Sequence, residues 1–216
     1  MQPSAKEQRE INELAQQFEH STGAQVVAAV VGKADAYPDI PWRAFALGAA
    51  LAALAVVVDE LVNPDWASIH SPVRDVAAIL ATGMLCALAA ALIPGFARLF
   101  LNRERATSEV RQYAQGIFLQ REMFSTKARA GILIMVCRFE RKVYILPDTG
   151  IAIHLSPTDL EPIIAAMTPH LRQWQPVESF RIGFATLAAL LERKNIRPQR
   201  AGNALADGAV VEAGAS

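Results

Sequence analysis

The stretch that decides the fold is GILIMVCRFERKVYIL, which occupies residues 131–146. Its first seven residues form an unbroken apolar run, which is typical of a strand buried on both faces. A second short run, KVYIL at residues 142–146, is rich in β-branched and aromatic side chains. The four residues between the runs, RFER, include three charges, so the two runs predict a β-hairpin.

Outward from this hairpin the chain alternates helices and strands. Residues 24–31 (AQVVAAVV), bounded by Gly23 and Gly32, predict a buried strand, and residues 4–21 predict a helix that opens with a capping box of Ser4 and Glu7. Downstream, the periodicity and the turn residues predict a helix at 103–124, a turn at 148–150, a strand at 151–155, a helix at 156–170, a helix beginning at Pro176 and a disordered tail at 198–216.

Two long apolar runs separate the first strand from the later ones. Residues 44–58 carry no charge, and residues 42–62 as a helix would be roughly 31 Å long, about the thickness of a bilayer's hydrocarbon. Residues 76–93 also carry no charge and lie within a second span at about 74–97. Neither run has a polar stripe at helical period, so we expect a transmembrane hairpin. The alternative is a soluble α/β protein with a buried helical pair.

The charges around the two runs predict their orientation. Residues 59–75 contain four acidic side chains and one basic side chain, Arg74, whereas the outer flanks carry Lys33, Arg43 and several arginines between 98 and 111. By the positive-inside rule we expect a multi-pass protein of the inner (plasma) membrane with both termini cytoplasmic. A lone strand at 24–31 would be unstable, so it should pair with the later strands, which requires both halves on one side.

These elements predict one α/β domain with a mixed sheet, formed by residues 1–41 and 99–197 and interrupted by the hairpin at 42–98. The chain has 21 Lys+Arg and 21 Asp+Glu among 216 residues, and this zero net charge argues against a nucleic-acid partner. The expected partners are the lipid bilayer and another membrane protein.

The best candidate catalytic site lies in the turns around Glu140, Arg141 and Asp148, since HExxH, CxxC, P-loop and GxGxxG motifs are absent from the sequence. Carboxylates can hold a metal and a cation can bind phosphate. Asp148 and Glu140 are therefore candidate metal ligands, with Arg141 or Arg129 as the cation, if the loops converge. The competing interpretation is that both segments are polar turns. No cofactor is predicted from these residues.

A longer string around this site resembles the TPM domain, a family named for thylakoid, photosystem-associated and membrane proteins. Residues 131–151 read GILIMVCRFERKVYILPDTGI, preceded by Thr126, Arg129 and Ala130, and they are similar to the family's pattern of two strands followed by a D-x-G-I turn. Upstream, TGAQVVAAVV is similar to a TSGEIVV segment of the family's bacterial membrane branch, with Gln25 where an acid is common. The resemblance covers roughly residues 4–195.

The resemblance implies a three-layer α/β/α domain attached to a membrane. Family members include calcium-binding acid phosphatases, so calcium is the metal that the resemblance implies, and also assembly or repair factors without demonstrated chemistry. Because Gln25 replaces the acid, we expect a non-enzymatic accessory or binding module in membrane-protein assembly or maintenance. A calcium-dependent acid phosphatase is the alternative.

Overall fold

The computed structural model describes residues 3–62, 71–126, 129–196, 210–212 and 214. Within these ranges the chain alternates helices with four short strands. In chain order they are α1 (Ala5–Thr22), β1 (Gln25–Val31), α2 (Asp39–Val62), α3 (Ser71–Leu92), α4 (Pro94–Ala97), α5 (Arg103–Gln120), β2 (Gly131–Cys137), β3 (Lys142–Pro147), α6 (Thr149–Ala152), α7 (Pro157–Arg172), α8 (Pro176–Arg193) and β4 (Val210–Glu212).

The chain divides into two compact units. The first unit contains residues Met1–Asp35 and Glu104–Ser216, and the second contains Ala36–Arg103. The chain leaves the first unit and returns to it at neighbouring positions, because Arg105 Nη2 lies 2.8 Å from Asp35 Oδ2 in an ion pair. The sequence predicts the split domain at residues 1–41 and 99–197, with the hairpin at 42–98.

The first unit is built on a mixed sheet with the strand order β3-β2-β1-β4. Strands β2 and β3 are antiparallel, which confirms the predicted hairpin. Strand β1 pairs in parallel with β2 along all seven residues, from Gln25 opposite Gly131 to Val31 opposite Cys137. The strand that precedes the interruption therefore pairs with the strands that follow it, as its instability alone had led us to expect.

Helices cover both faces of this sheet. On one face, alternate residues of β1 and β2 pack against α1, α7 and α8, where Ile11, Phe180 and Leu187 are fully buried. On the other face, the intervening residues pack against α5 through Val110, Ala114 and Ile117. Both strands are consequently buried along their whole length, which explains their unbroken apolar runs. The predicted three-layer α/β/α architecture is confirmed.

Local signals fix the ends of several helices. The capping box at α1 is present, since Glu7 donates its N–H to Ser4 Oγ (3.3 Å) and accepts the Ser4 N–H (2.7 Å). Gly23 ends α1 in the left-handed conformation that glycine adopts without strain. Ser156 and Asp159 form an equivalent box at α7, and Lys194 donates to the same carboxylate at 2.8 Å. These contacts lower the pKa of Asp159 below its usual range, with Lys194 as the largest cause.

Three details of the sequence-based expectation are wrong. Residues 151–155 form no strand, because Asp148 caps the short helix α6 and the following residues are turn. The helix predicted at 103–124 ends at Gln120 and is followed by a single 3₁₀ turn, Met123–Ser125. The tail predicted to be disordered at 198–216 contains β4; its residues 198–209, 213, 215 and 216 lie outside the described residues.

The second unit consists mainly of α2 and α3 packed side by side. Both helices are long and apolar enough to cross a membrane, and they include the predicted spans up to residue 92. The second span does not continue to residue 97: Ile93 is extended and Pro94 begins the separate helix α4, because proline cannot continue the preceding helix. Residues 63–70 of the predicted acidic loop lie outside the described residues.

Glycines allow α2 and α3 to approach closely. A methyl group at Gly48 would lie 2.7 Å from the Sγ atom of Cys86, and one at Gly83 would lie 2.8 Å from the ring of Phe45. Cβ atoms essentially never come this close to other heavy atoms. Neither glycine can therefore be replaced by a larger residue without a shift in the helix–helix interface. Small residues have this role in lipid-embedded helix pairs.

We expect Gly48→Ala to destabilise the second unit by about 1–3 kcal/mol, because the added methyl group must push α3 away. Thermal unfolding of the purified protein in detergent measures this change. Gly95→Ala is the matched control, since nothing lies within 4 Å of the position that its methyl group would occupy. Equal melting temperatures for both variants would contradict the described interface.

Candidate functional site

The structure places the predicted site residues at opposite ends of the sheet. Glu140 and Arg141 lie in the turn before β3, whereas Asp148 follows the last residue of β3. Six residues of strand separate them, which corresponds to roughly 20 Å. The loops around Glu140 and Asp148 therefore do not converge into one site. Among the described residues there is also no group of three or more His, Cys, Asp or Glu side chains that could hold a metal.

Glu140 fastens the segment that follows β1. Its Oε1 accepts the N–H of Ala34 at 2.9 Å in a buried position, and its neighbour Phe139 donates its N–H to Gly32 O at 3.0 Å. Oε2 of Glu140 is buried and has no hydrogen-bond partner among the described residues. Burying a carboxylate costs free energy, and the hydrogen bond that Glu140 makes in return is to the backbone N–H of Ala34. Glu140 is thus a structural residue at the end of the sheet where the chain leaves the first unit.

Asp148 is the centre of a denser cluster at the other end. Its Oδ1 accepts the N–H of Thr149 at 2.6 Å and forms an ion pair of 3.1 Å with Arg129 Nη2. Its own N–H donates to Gly131 O at 2.7 Å, which extends the β2–β3 ladder by one position. The Asp148 side chain is only 2% exposed, so this charge depends on these partners.

Arg129 joins three segments around Asp148. Besides the ion pair, Nε donates to Thr149 Oγ1 at 3.2 Å and Nη1 donates to Phe124 O at 3.2 Å. The backbone of Arg129 has a φ of 51°, which is uncommon for a residue with a side chain. The guanidinium thus connects the 3₁₀ turn, the start of β2 and helix α6 while remaining about half exposed.

A row of polar positions crosses three strands beside this cluster. Gln25 of β1 lies opposite Gly131 of β2, and Gly131 in turn lies opposite Asp148, the residue after β3. Side chains along a strand alternate between its two faces. Gln25, Gly131 and Asp148 are each two positions from a residue that packs on the α5 face, namely Val27, Leu133 and Leu146, so all three lie on that face. A methyl group at Gly131 would lie 2.8 Å from Met123 O, so this carbonyl lies directly over the glycine. The row therefore presents oxygen atoms from both its side chains and the covering backbone.

Two oxygens in this row are left without donors. Gln25 Oε1 and Asp148 Oδ2 are both buried and have no hydrogen-bond partner among the described residues. Buried acceptors of this kind are costly unless something satisfies them, and carboxylate, amide and backbone oxygens are the ligands that calcium prefers. The sequence pointed to Asp148 but not to Met123, since the row becomes visible only from the strand register.

The unit is thus an α/β/α domain whose mixed sheet is interrupted in sequence by two apolar helices, with a polar row at the end remote from the interruption. Residues 99–190 match the model of the TPM domain family, the family that the motif had indicated. It is similar in structure to the BA42 protein of the psychrophilic bacterium Bizionia argentinensis, with 12% identity, a TM-score of 0.52 and coverage of 96% of this chain and 94% of that chain. This likeness shows a shared fold. No curated protein matches the sequence.

We expect Arg129→Ala to lower the free energy of unfolding by about 1–3 kcal/mol, because it removes the counter-charge of a buried carboxylate and two further hydrogen bonds. Thermal or denaturant unfolding of the full chain measures the change. The control is Arg121→Ala at an exposed position just after α5. If both variants unfold alike, Arg129 does not hold the Asp148 cluster together.

Proposed function

We propose that the protein is anchored in the inner (plasma) membrane by α2 and α3. The observation that carries this proposal is exposure: only 6% of the most apolar stretch of α2 and 11% of that of α3 are buried within the chain. Helices of 24 and 22 residues are roughly 36 and 33 Å long, enough to cross a hydrocarbon core of about 30 Å. A buried helical pair in a soluble protein would show the opposite burial.

The exposed side chains of these helices are large and apolar. Water would not favour such a surface, whereas lipid chains solvate it. More than half of the residue's surface is exposed at Leu47, Leu51, Leu54, Leu61, Met84, Leu85, Leu88 and Leu92.

Both termini lie on the cytoplasmic side in this proposal. Asp59 and Glu60 lie at the end of α2 that is next to the loop between the two helices. Arg43 lies near the start of α2, and Arg98 and Arg103 follow α3. The β1–β2 pairing independently requires the segments before and after the hairpin to be on the same side of the membrane. The positive-inside rule then selects the cytoplasm for that side.

Carbonate washing and cysteine labelling test the anchoring and the orientation. We expect carbonate-washed membranes to retain the protein, and Glu60→Cys to react in intact cells with a maleimide that does not cross membranes. Release by carbonate would contradict the membrane anchor. The matched control is Gln120→Cys, an exposed position in α5, which should react only after the cells are opened. The reverse pattern would invert the topology.

The two natural cysteines should give little background in this experiment. Cys137 is buried in β2, and burial raises the pKa of its thiol far above the usual range, so the reactive thiolate is scarce. Cys86 faces Gly48 in the α2–α3 interface.

The TPM domain of this membrane protein acts, in our proposal, as a non-enzymatic binding module in the assembly or maintenance of another membrane protein. The charged groups that phosphate chemistry would need are used to hold the fold: Glu140 fastens Ala34, and Asp148 and Arg129 bind each other. Their separation across the length of β3 further supports a binding role over a catalytic one.

The second candidate is a calcium-dependent acid phosphatase, and the polar row favours it. Asp148 Oδ2, Gln25 Oε1 and Met123 O would hold the cation, which would supply positive charge for a phosphate group. Arg129, half exposed beside the row, would then face the same phosphate. Gln25 contributes no charge to this set, so the row carries a single negative charge.

A phosphate-ester assay separates the two candidates. With purified protein and a generic phosphate ester, we expect no turnover above background with or without calcium. Turnover that requires calcium and disappears in Asp148→Asn would overturn the non-enzymatic role. Thermal stability gives a second readout, because calcium that raises the melting temperature of the native chain but not of Asp148→Asn would show a cation bound at the row.

A further inference from the structure

The segment that follows α3 leaves the helix but keeps an apolar surface. Ile93 is extended, with a φ of −112° and a ψ of 99°, and it is followed by α4 and by another 3₁₀ turn, Arg98–Phe100. Leu92, Ile93 and Leu99 are 70%, 54% and 76% exposed. These side chains continue the exposed apolar surface of α3 beyond the residue at which the helix stops.

Arg43 holds this segment beside the first turn of α2. Its Nη1 donates to Phe100 O at 3.3 Å, and its Nη2 lies 3.0 Å from Asp39 Oδ2 in an ion pair. Because Asp39 is four residues closer to the start of α2, the Arg43 side chain extends toward the N-terminal end of that helix. Basic side chains near the end of a membrane span extend in this direction, since their charge then stays among the headgroups.

Trp42 is at the same end of the helix pair. Gly48 packs against Cys86 and Gly83 against Phe45, so the start of α2 lies next to the end of α3. Trp42 is 73% exposed, although its ring makes an edge contact with Phe45. Tryptophan is enriched at the boundary between acyl chains and headgroups, because its ring has both an apolar surface and a polar N–H. An exposed tryptophan at this position is therefore typical of a residue at that boundary.

The spacing of the charges puts the ends of both helices at one depth. On α2, Asp59 is 17 positions after Trp42 (59 minus 42), and on α3, Leu92 is 17 positions after Asp75 (92 minus 75). Each interval is roughly 26 Å of helix, close to the thickness of about 30 Å of a hydrocarbon core. When the two aspartates reach water on one side, Trp42 and Leu92 therefore lie at the opposite boundary of the hydrocarbon.

We propose that Trp42 and residues 93–100 form an interfacial collar, which contacts the phospholipid bilayer at the boundary between acyl chains and phosphate groups and fixes the depth of the hairpin. Ile93 and Leu99 supply its apolar surface. The positive charges of Arg98 and of Arg103, just beyond the collar, are complementary to the phosphates. This inference rests on the proposed membrane anchor and names the region of the lipid that the ends of α2 and α3 contact.

Fluorescence quenching in lipid vesicles tests the depth of Trp42. The full-length chain is reconstituted in phosphatidylcholine that carries bromine either near the headgroup or near the end of the acyl chain. The chain has three tryptophans, so Trp66→Phe and Trp174→Phe leave Trp42 as the fluorophore. Because the boundary is shallow, we expect Trp42 to lose about twofold more fluorescence to the shallow bromine than to the deep one.

The matched control moves the fluorophore to the middle of α2. Leu51 is exposed and lies nine positions after Trp42 (51 minus 42), roughly 14 Å deeper. With all three native tryptophans replaced by phenylalanine, Leu51→Trp should be quenched more strongly by the deep bromine.

Leu99→Trp, in the same background as the control, tests the segment after α3 and should show the same preference for shallow bromine as Trp42. Stronger quenching of Trp42 by the deep bromine would overturn the collar. Shielding of Leu99→Trp from both bromines would overturn it too, because water or another protein would then cover the segment. In both cases quenching of Leu51→Trp leaves the membrane anchor standing, whereas its absence would contradict the anchor and the collar together.

Discussion

The parallel pairing of β1 with β2 is the interaction on which the rest of the structure depends. It joins the segment before the apolar hairpin to the segment after it, and it supplies the two central strands of the sheet. Because helices cover both faces, these strands must be apolar on both sides, and all fourteen of their residues are buried. The same pairing forces both ends of the hairpin to one side of any membrane that it crosses.

The two ends of this sheet differ in what they hold. At the end where the chain departs toward the second unit, Glu140, Phe139 and the Asp35–Arg105 ion pair fasten the connecting segments. At the other end, Asp148 and Arg129 hold α6 and the 3₁₀ turn around a row that retains unsatisfied oxygens. Each end keeps a buried carboxylate oxygen without a partner among the described residues, Glu140 Oε2 at one end and Asp148 Oδ2 at the other. Only the second end has a further unsatisfied acceptor, Gln25 Oε1, in the same row, which is the reason to look for ligands near Asp148 first.

Much of this fold could be predicted from local patterns. Unbroken apolar runs indicated β1 and β2, the Ser4–Glu7 box indicated the start of α1, and two uncharged runs indicated α2 and α3. The errors arose where local patterns are ambiguous or too short. Ile151, Ile153 and Leu155 alternate as in a strand, but Asp148 starts a helix there. The predicted Glu140–Asp148 site failed because the two residues flank the whole of β3.

Other features lie beyond single-sequence reasoning for physical reasons. The row of Gln25, Gly131 and Asp148 depends on strand register, which is set by tertiary packing. Strand β4 has three residues in a tail of small and polar residues, which is too short for a periodicity to show. The close approach of Gly214 to the backbone of Lys33 joins residues that are far apart in the sequence, so no local pattern indicates it.

The interruption between β1 and β2 also delays the pairing of these strands during biosynthesis. The partners Gln25 and Gly131 are 106 positions apart (131 minus 25), so at roughly 5–20 residues per second the ribosome needs about 5–20 seconds to complete what β1 must pair with. During that interval β1 has no partner strand, while the two apolar helices are being synthesised. The hairpin shortens the later search, because a compact insertion whose ends meet at Asp35 and Arg105 lowers the loop entropy of closing the sheet. A nascent chain stalled between residues 100 and 130 should accordingly be the species most prone to aggregate or to recruit a chaperone.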